Sequence, residues 1–599
     1  MVSLVKKDGK EFVHYSQAEK NEALEYFVTS ATDQIYAVKH NVPSEVFGSF
    51  GSFFSRNPKD LREHLFDAII GNIKDFEIQA WRGKENLERL LFGYYKDPAQ
   101  AIESGLAKSQ SFFTRYYGGY SHKSIANTVW IPMVATNVSQ LFARNLAYDQ
   151  LAFFIEQSSR FVKMDVNNYF VDKDVDDSEF RNVYRNSIEF SLSSYAKLKD
   201  KLVQEFSERL PFGDWLDLQN EATRKNGEAA QKIKYERELT GRALDSSRFL
   251  LPQATFTNIA WILDARSAEF DIGSWKGHGL REMREAAELY EKHAGQIAPS
   301  LLKYTNRNEF YADKYNLYNG DLNFDVEAKP VEKSFNILEF PDDALNKTIA
   351  HILHNSSRGN FRPYYEKTKR MTFEQKRGIL ERIICNRKKF DEWVGVEEEF
   401  NMLNVVGEII TDIGATRDWR RHQKFNRKEP VYSLDMGYKV PPSIQEIGGE
   451  SLDLFHEVIR QAHEAELKIR KKFPLQAQYV IPMACNHSIT FSQGLDQWLY
   501  TIFTRSTPEG NWSYREDSFN IAEAFLKKAP WIVGYREYPE GMKVVEAYEK
   551  APFTRKMREQ QKDWRQRKSI AEEKQQKFNE LEPFPSLLIL RTEETGLHT

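Results

Sequence analysis

Apolar positions recur every three or four residues through two stretches of this chain. From Ser124 to Phe154, Ile125, Val129, Val134, Val138, Leu141 and Leu146 hold mostly helical spacing, with Pro132 kinking or dividing the run. Phe400, Leu403, Val406, Ile410 and Ile413 repeat in the same way, and Gly414 loosens the end. The spacing predicts a buried helix in each place. Each run leads to a polar cluster: Glu156-Gln157-Ser158-Ser159-Arg160-Phe161 after the first, Arg417-Asp418-Trp419-Arg420-Arg421-His422-Gln423 after the second.

A two-residue period then takes over. Gln253 to Trp261 alternates and predicts a strand. Before it stands Arg248-Phe249-Leu250-Leu251-Pro252, and twelve residues after the proline comes Asp264-Ala265-Arg266. Gln478-Tyr479-Val480-Ile481-Pro482 is followed, again twelve after the proline, by Gly494-Leu495-Asp496. Two equal intervals point to a duplication. Asn306 to Lys333 has no sustained apolar period, which places a boundary near residue 330 and gives domains over 1–330 and 331–550 with a charged helical tail over 551–599. Residues 172–238 read as a charged helical insertion with a solvated face, absent from the second half.

Composition narrows the classes. A chain of 599 residues with 41% hydrophobic side chains exceeds the roughly 250–300 residues of one core. The 84 Lys and Arg against 87 Asp and Glu leave no field to recruit nucleic acid or an anionic membrane, so any anion site is local. Cys385 and Cys485 exclude a disulfide scaffold, and no apolar run nears the roughly 20 residues that cross a bilayer, so a cytoplasmic protein is expected. No Gly-rich dinucleotide or Walker sequence occurs, and His351 and His354 lack a carboxylate at ligand spacing; a satisfied surface pair is the default there.

The clusters carry the chemistry. Glu156, Ser158 and Arg160 alternate, so an extended segment would point an acceptor, a hydroxyl and a five-donor cation to one side. That set suits a ligand with an anionic oxygen and an imide, or it closes a loop by a Glu–Arg pair. Arg248 and Arg266 sit among apolar residues, where a buried guanidinium needs a carboxylate or phosphate. Arg417, Arg420, Arg421, His422 and Arg505 can hold a phosphorylated nucleotide or lace an interface.

At these residues the chain resembles the flavin-dependent thymidylate synthases, in a long duplicated form. Glu156 to Phe161 matches the end of that family's R-H-R-x-x-S-x-N-E-x-S-x-R-Y signature except for its last residue, while its opening reads Tyr148-Asp149-Gln150. Arg421-His422-Gln423 matches the opening in two of three positions, and Glu429 alone survives of the remainder. Gly119 to Ser124 is similar to the family's G-H-x-[ST], Ser52 to Ser55 to its A-R-x-S, and Arg248 to Pro252 with Asp264-Ala265-Arg266 to A-R-x-x-L-P and N-A-R.

The resemblance implies an α+β fold in two tandem copies, each a mixed sheet with long buried helices. It implies reductive methylation of dUMP to dTMP with FAD, NADPH and methylenetetrahydrofolate. One composite nucleotide site would combine Glu156, Ser158, Arg160 and Arg248 with Arg421 and Arg505, Arg505 and Ser158 acting in catalysis. Ser55, Ser124, Arg266, His422 and Gln423 would contact the flavin, and the chain would form a homodimer equivalent to a tetramer. Four positions depart from the pattern: Gln423, Asp264, Asp496 in place of the second N-A-R arginine, and Asn127. An Arg-to-Asp exchange reverses the charge offered to a diphosphate. Another C5 modification of a pyrimidine nucleotide, such as hydroxymethylation, and a non-catalytic nucleotide-binding role therefore stay open.

Overall fold

The computed structural model describes residues 3–39, 57–69, 126–317, 328–384 and 398–531, apart from 8, 9, 15, 26, 128, 218, 220–223, 506–509 and 530. Ser55, Ser124 and the tail over 551–599 lie outside the described residues. Contacts divide the chain into two compact units made of interleaved segments. The first holds Met1–Lys197, Leu250–Val326 and Val458–Ile481, and the second Leu198–Phe249, Glu327–Glu457 and Pro482–Thr599.

A hairpin of β1 (Ser3–Lys7) and β2 (Lys10–His14) stands apart from the main sheets. The first unit is built on a four-stranded sheet in the order β3-β4-β6-β5, from β3 (Ile35–Ala37), β4 (Trp130–Ser139), β5 (Phe153–Glu156) and β6 (Phe256–Asp264). Its helices are α1 (Gln140–Leu146), α4 (Ala265–Lys276) and α5 (Arg281–Ile297). Of the two helices that precede β6 in the chain, α2 (Arg181–Arg209) contributes its residues up to Lys197 to the first unit and the rest to the second, and α3 (Glu228–Ser247) belongs to the second. The second unit repeats the plan with order β7-β8-β10-β9, from β7 (Ser334–Glu339), β8 (Asn404–Asp412), β9 (Asn426–Lys428) and β10 (Asn486–Gly494). Its helices α6 (Ile413–Trp419), α8 (Leu495–Arg505) and α9 (Trp512–Lys528) match α1, α4 and α5; α7 (Gly449–Arg470) precedes β10 in the chain and from Val458 onward belongs to the first unit.

The α+β class holds, but every strand pairing among the described residues is antiparallel, so the expected mixed sheets are not there. The expected helices over Ser124–Phe154 and Phe400–Ile413 are the strands β4 and β8, each followed by a seven-residue helix. Short apolar runs do not separate the two periods, and β-branched Ile131, Val134 and Val138 favour the strand. Pro132 fits because its carbonyl accepts from Val38 N (3.1 Å) on the β3 side, where the ladder ends before its missing N–H is needed.

The stretch over 172–238 is helical, as expected, but not a solvated face. Tyr184, Ile188, Leu192, Tyr195, Leu198 and Leu202 of α2 are all buried, and the second half has its own long helix, α7, before β10.

Strand register records the duplication directly. Ile155 pairs Ala260 as Lys428 pairs Thr490; Phe154 pairs Trp261 as Arg427 pairs Phe491; Ser139 pairs Phe256 as Asp412 pairs Asn486. The copies differ by one residue in the long strand. Between Ala135 and Val138 β4 bulges around Asn137 (φ 53°), a left-handed conformation asparagine tolerates, while β8 runs straight.

A buried acid–hydroxyl bridge also repeats with its ends exchanged. Ser139 caps α1 and donates from Oγ to Glu282 Oε2 (2.6 Å) on α5; Asp412 caps α6 and accepts from Ser513 Oγ on α9. Glu282 and Ser513 are each the second residue of a seventeen-residue helix. Glu282 accepts further bonds from Ser139 N (2.9 Å) and Tyr479 Oη (2.8 Å), yet burial pushes its carboxyl up to about 7. The folded state thus holds this proton more tightly than an unfolded Glu near 4.3, so the stability it contributes is present below about pH 4 and lost as pH rises through about 7. Thermal melts between about pH 5 and about pH 8 should therefore fall more for the unaltered protein than for Glu282→Gln, which does not titrate. Parallel curves would refute it.

Candidate functional site

The second unit gathers most of the cations at the end of α6. Asp412 caps that helix, accepting from Ala415 N (2.7 Å), and a cap matters because seven residues do not hold a helix alone. Gly414 sits in the first turn rather than loosening an end, and a Cβ there would press on Phe249 (3.3 Å).

The arginines that follow separate into two jobs. Arg420 is buried and donates to both oxygens of Glu429 (2.7–3.2 Å) and to Tyr432 Oη; Arg427 reaches the same carboxylate at 3.1 Å and His487 lies 3.8 Å from it. Glu429, the surviving signature acid of this half, is thus occupied within the protein. Arg421 is different: its side chain is 49% exposed, and its Nε lies 3.9 Å from Asp418 Oδ1. Arg505, on α8, reaches that same oxygen at 3.6 Å, donates to the Asp418 carbonyl (2.8 Å) and donates from Nε to His422 Nε2 (2.8 Å). Two guanidiniums therefore converge on one carboxylate oxygen. An incoming phosphate, with more charge and three acceptor oxygens, can compete for both.

His422 stacks on Phe425 (5.2 Å). Burial, and then the Arg505 charge, push its imidazole well below the ordinary histidine range, so it is neutral and accepts through Nε2.

Arg248 falls in the second unit, although it lies in the first half of the chain. It is buried in the turn after α3, 3.7 Å from Asp245, whose carboxylate accepts from Asn511 Nδ2 (2.8 Å). Gln478, the residue at the same place in the duplicated segment, falls in the first unit and accepts from Arg144 Nη1 (2.8 Å). The two segments are exchanged between the units.

Glu156, Ser158 and Arg160 belong to the first unit. Glu156 ends β5 and is buried. The segment does not stay extended: Ser158 Oγ accepts from Arg160 N (3.3 Å) and the Ser158 carbonyl from Val162 N (3.0 Å), which closes a turn and breaks the expected one-sided alternation. Phe161 is exposed, with the Arg160 guanidinium 5.6 Å from its ring.

Two flavin expectations separate by sign. Arg266 is exposed in the first turn of α4, where a buried guanidinium was expected; as the first turn of a helix is electropositive, it suits an anion. Its counterpart Asp496 is buried, accepts from Gln497 Nε2 (2.6 Å), and would collide with any side chain at Gly494. A diphosphate does not fit there. Gln423 is partly buried and Asn127 exposed. His351 stacks on Phe361 and His354 meets the Gly359 carbonyl (3.0 Å), a satisfied surface pair.

Sequence reading missed a buried network beneath this turn. Lys333 Nζ lies 2.9 Å from Asp412 Oδ2 and 3.1 Å from Asp517 Oδ1, and Asp517 Oδ2 accepts from Thr411 Oγ1 (2.7 Å) and Trp419 Nε1 (2.9 Å). Its one legible signal was Asp412, an acid directly before a helix. Lys333 lies in a stretch without period, and nothing marked it.

Comparison with known proteins adds the ancestry. Residues 85–300 and 340–531 match the family model described as thymidylate synthase complementing protein, one match in each half. A UPF0159 protein of Chlamydia muridarum is 25% identical over 86% of this chain and 93% of its own length, and one of Thermoplasma acidophilum is 24% identical over 72% and 89%. A flavin-dependent thymidylate synthase of Clostridium tetani is 25% identical over 31% of this chain and 66% of its own length. No helix among the described residues is long and apolar enough to cross a membrane.

Proposed function

Because the chain belongs to the thymidylate synthase complementing protein family, we propose that it binds dUMP and methylates it reductively to dTMP. The observation that carries the reading is the convergence of Arg421 and Arg505 on Asp418 Oδ1, which prepares two guanidiniums for one phosphate. The positions of the first half that correspond to Arg421, His422 and Gln423 are Tyr148, Asp149 and Gln150, so only one half keeps these cations and one nucleotide per chain is expected.

In this scheme the arginines balance the phosphate dianion, and Arg505 also fixes the His422 ring through its Nε bond. A guanidinium near the uracil carbonyl would stabilise the negative charge that grows as the ring is reduced. The resemblance also gives Glu156, Ser158 and Arg160 of the first unit a part in binding the nucleotide. Arg266 is the residue whose charge and exposure fit a flavin diphosphate, and its counterpart Asp496 does not, so one flavin per chain is expected. Bound FAD would supply the redox chemistry, taking hydride from NADPH for the pyrimidine while methylenetetrahydrofolate gives the one-carbon unit. Gln423, which stands where the family's R-H-R opening has its second arginine, favours a second reading, a homologue that binds the nucleotide without turning it over.

Purified protein separates these outcomes. A yellow preparation with flavin absorbance, one dUMP bound per chain by calorimetry, and dTMP formed with the folate and NADPH is the expected result. Nucleotide binding by colourless protein supports the second reading, and protein that takes up neither FAD nor dUMP refutes both.

A further inference from the structure

The network under Trp419 exists in only one of the two copies. Trp419 is the last residue of α6 and Asp517 the sixth of α9; the corresponding residues of α1 and α5 are Leu146 and Ala286, both buried and apolar. In the first unit, then, the start of the short helix is tied to α5 through Ser139 and Glu282, while its finish carries only apolar residues. The second unit places an indole N–H on a carboxylate (2.9 Å), shares that carboxylate with Thr411 (2.7 Å), and balances it with Lys333 (3.1 Å).

Burying three charged groups to hold one short helix is costly, and apolar residues of like volume do the same mechanical work. What the polar version adds is direction. A hydrogen bond fixes the angle of the indole, whereas a leucine in an apolar pocket can rotate or slide. The copy that carries it is also the copy whose helix leads into Arg420, Arg421 and His422, with His422 N bonded to the Trp419 carbonyl (3.3 Å).

We propose that Asp517 is a positioning residue for the arginine turn: by holding Trp419 Nε1, with Lys333 as its counter-ion, it sets where α6 delivers Arg421 to a phosphorylated ligand. Asp517 touches no ligand itself. It acts through a helix clamped at both ends by one network, Asp412 capping the start and Trp419 anchored at the finish, with Lys333 between the two carboxylates. The inference rests on the proposed phosphate binding by Arg421 and Arg505.

The test is a double-mutant cycle on the full-length chain, read by calorimetric titration with dUMP and by thermal melting. Trp419→Phe keeps an aromatic six-membered ring and removes the N–H together with the smaller ring of the indole. It should weaken dUMP binding about five- to tenfold and lower the melting temperature, since it also leaves a cavity in the core. Combined with Arg421→Ala it should cost less than the two single losses together, since the anchor acts through that arginine. Additive losses, or unchanged affinity in Trp419→Phe, overturn the inference. Should Trp419→Phe not fold, the pair Asp517→Leu with Lys333→Met removes the acceptor and its counter-ion together, leaves Asp412 its bonds from Ala415 N and Ser513 Oγ, and enters the same cycle with the same expected coupling. Absence of dUMP binding by the unaltered chain overturns the functional reading and the inference with it, so the two failures are distinguishable.

Discussion

Lys333→Ala should destabilise the second unit by about 3–5 kcal/mol, the usual cost of leaving buried charge without its partner. The Lys333 side chain is 1% exposed and both its carboxylates are as deeply buried. Burial alone would push its ammonium down, but Asp412 and Asp517 overcome this and hold it above the ordinary lysine range. Without it, two carboxylates face each other in the core. Burial has already pushed Asp517 up to about 6, with Asp412 adding to the effect, so the variant would take up a proton there, and part of its loss would be recovered in mild acid. Urea unfolding at about pH 8 and about pH 5 checks both statements. A loss under about 1 kcal/mol, as for an exposed pair such as Lys292 with Asp33, would mean that water reaches the group.

Adjacent arginines should behave in opposite ways. Arg421→Ala removes a half-exposed cation, so its melting temperature should match the unaltered protein while dUMP affinity falls by about 1.5–3 kcal/mol, roughly ten- to 150-fold. Arg420→Ala strands the fully buried Glu429 with Arg427, and its principal effect should be on folding. Arg160→Ala in the first unit should repeat the Arg421 phenotype if the family roles carry over. Calorimetry with dUMP beside melting curves decides the matter. Equal affinity loss at unchanged stability in Arg420→Ala would sink the division of labour, and unchanged affinity in both Arg421→Ala and Arg160→Ala would sink the nucleotide site.

Much of this was legible in the residues. The equal intervals after Pro252 and Pro482 announced a duplication that the strand registers then matched pair by pair. The strand through Trp261 followed from its alternation. What failed was the distinction between a buried strand and a buried helix at Ile131–Val138 and Val405–Thr411, because both faces are largely covered and alternation disappears. Helix α2 misled in the opposite direction, its many charges hiding the buried row from Tyr184 to Leu202. The site residues were found as types, but their jobs were not: spacing cannot say that Arg420 turns inward to Glu429 while Arg421 turns outward. Arg266 was expected to be buried from its apolar neighbours, yet it occupies the first turn of a helix, whose side chains can face solvent.

The exchanged segments bear on how the molecule is made. The first unit includes Val458–Ile481, and so it cannot be completed until the ribosome has translated well into the second half. Domains usually fold in order of synthesis, amino-terminal first. Here the early half must wait, partly assembled, for a piece encoded more than a hundred codons beyond its own last strand. Expressing residues 1–330 alone would make that delay permanent.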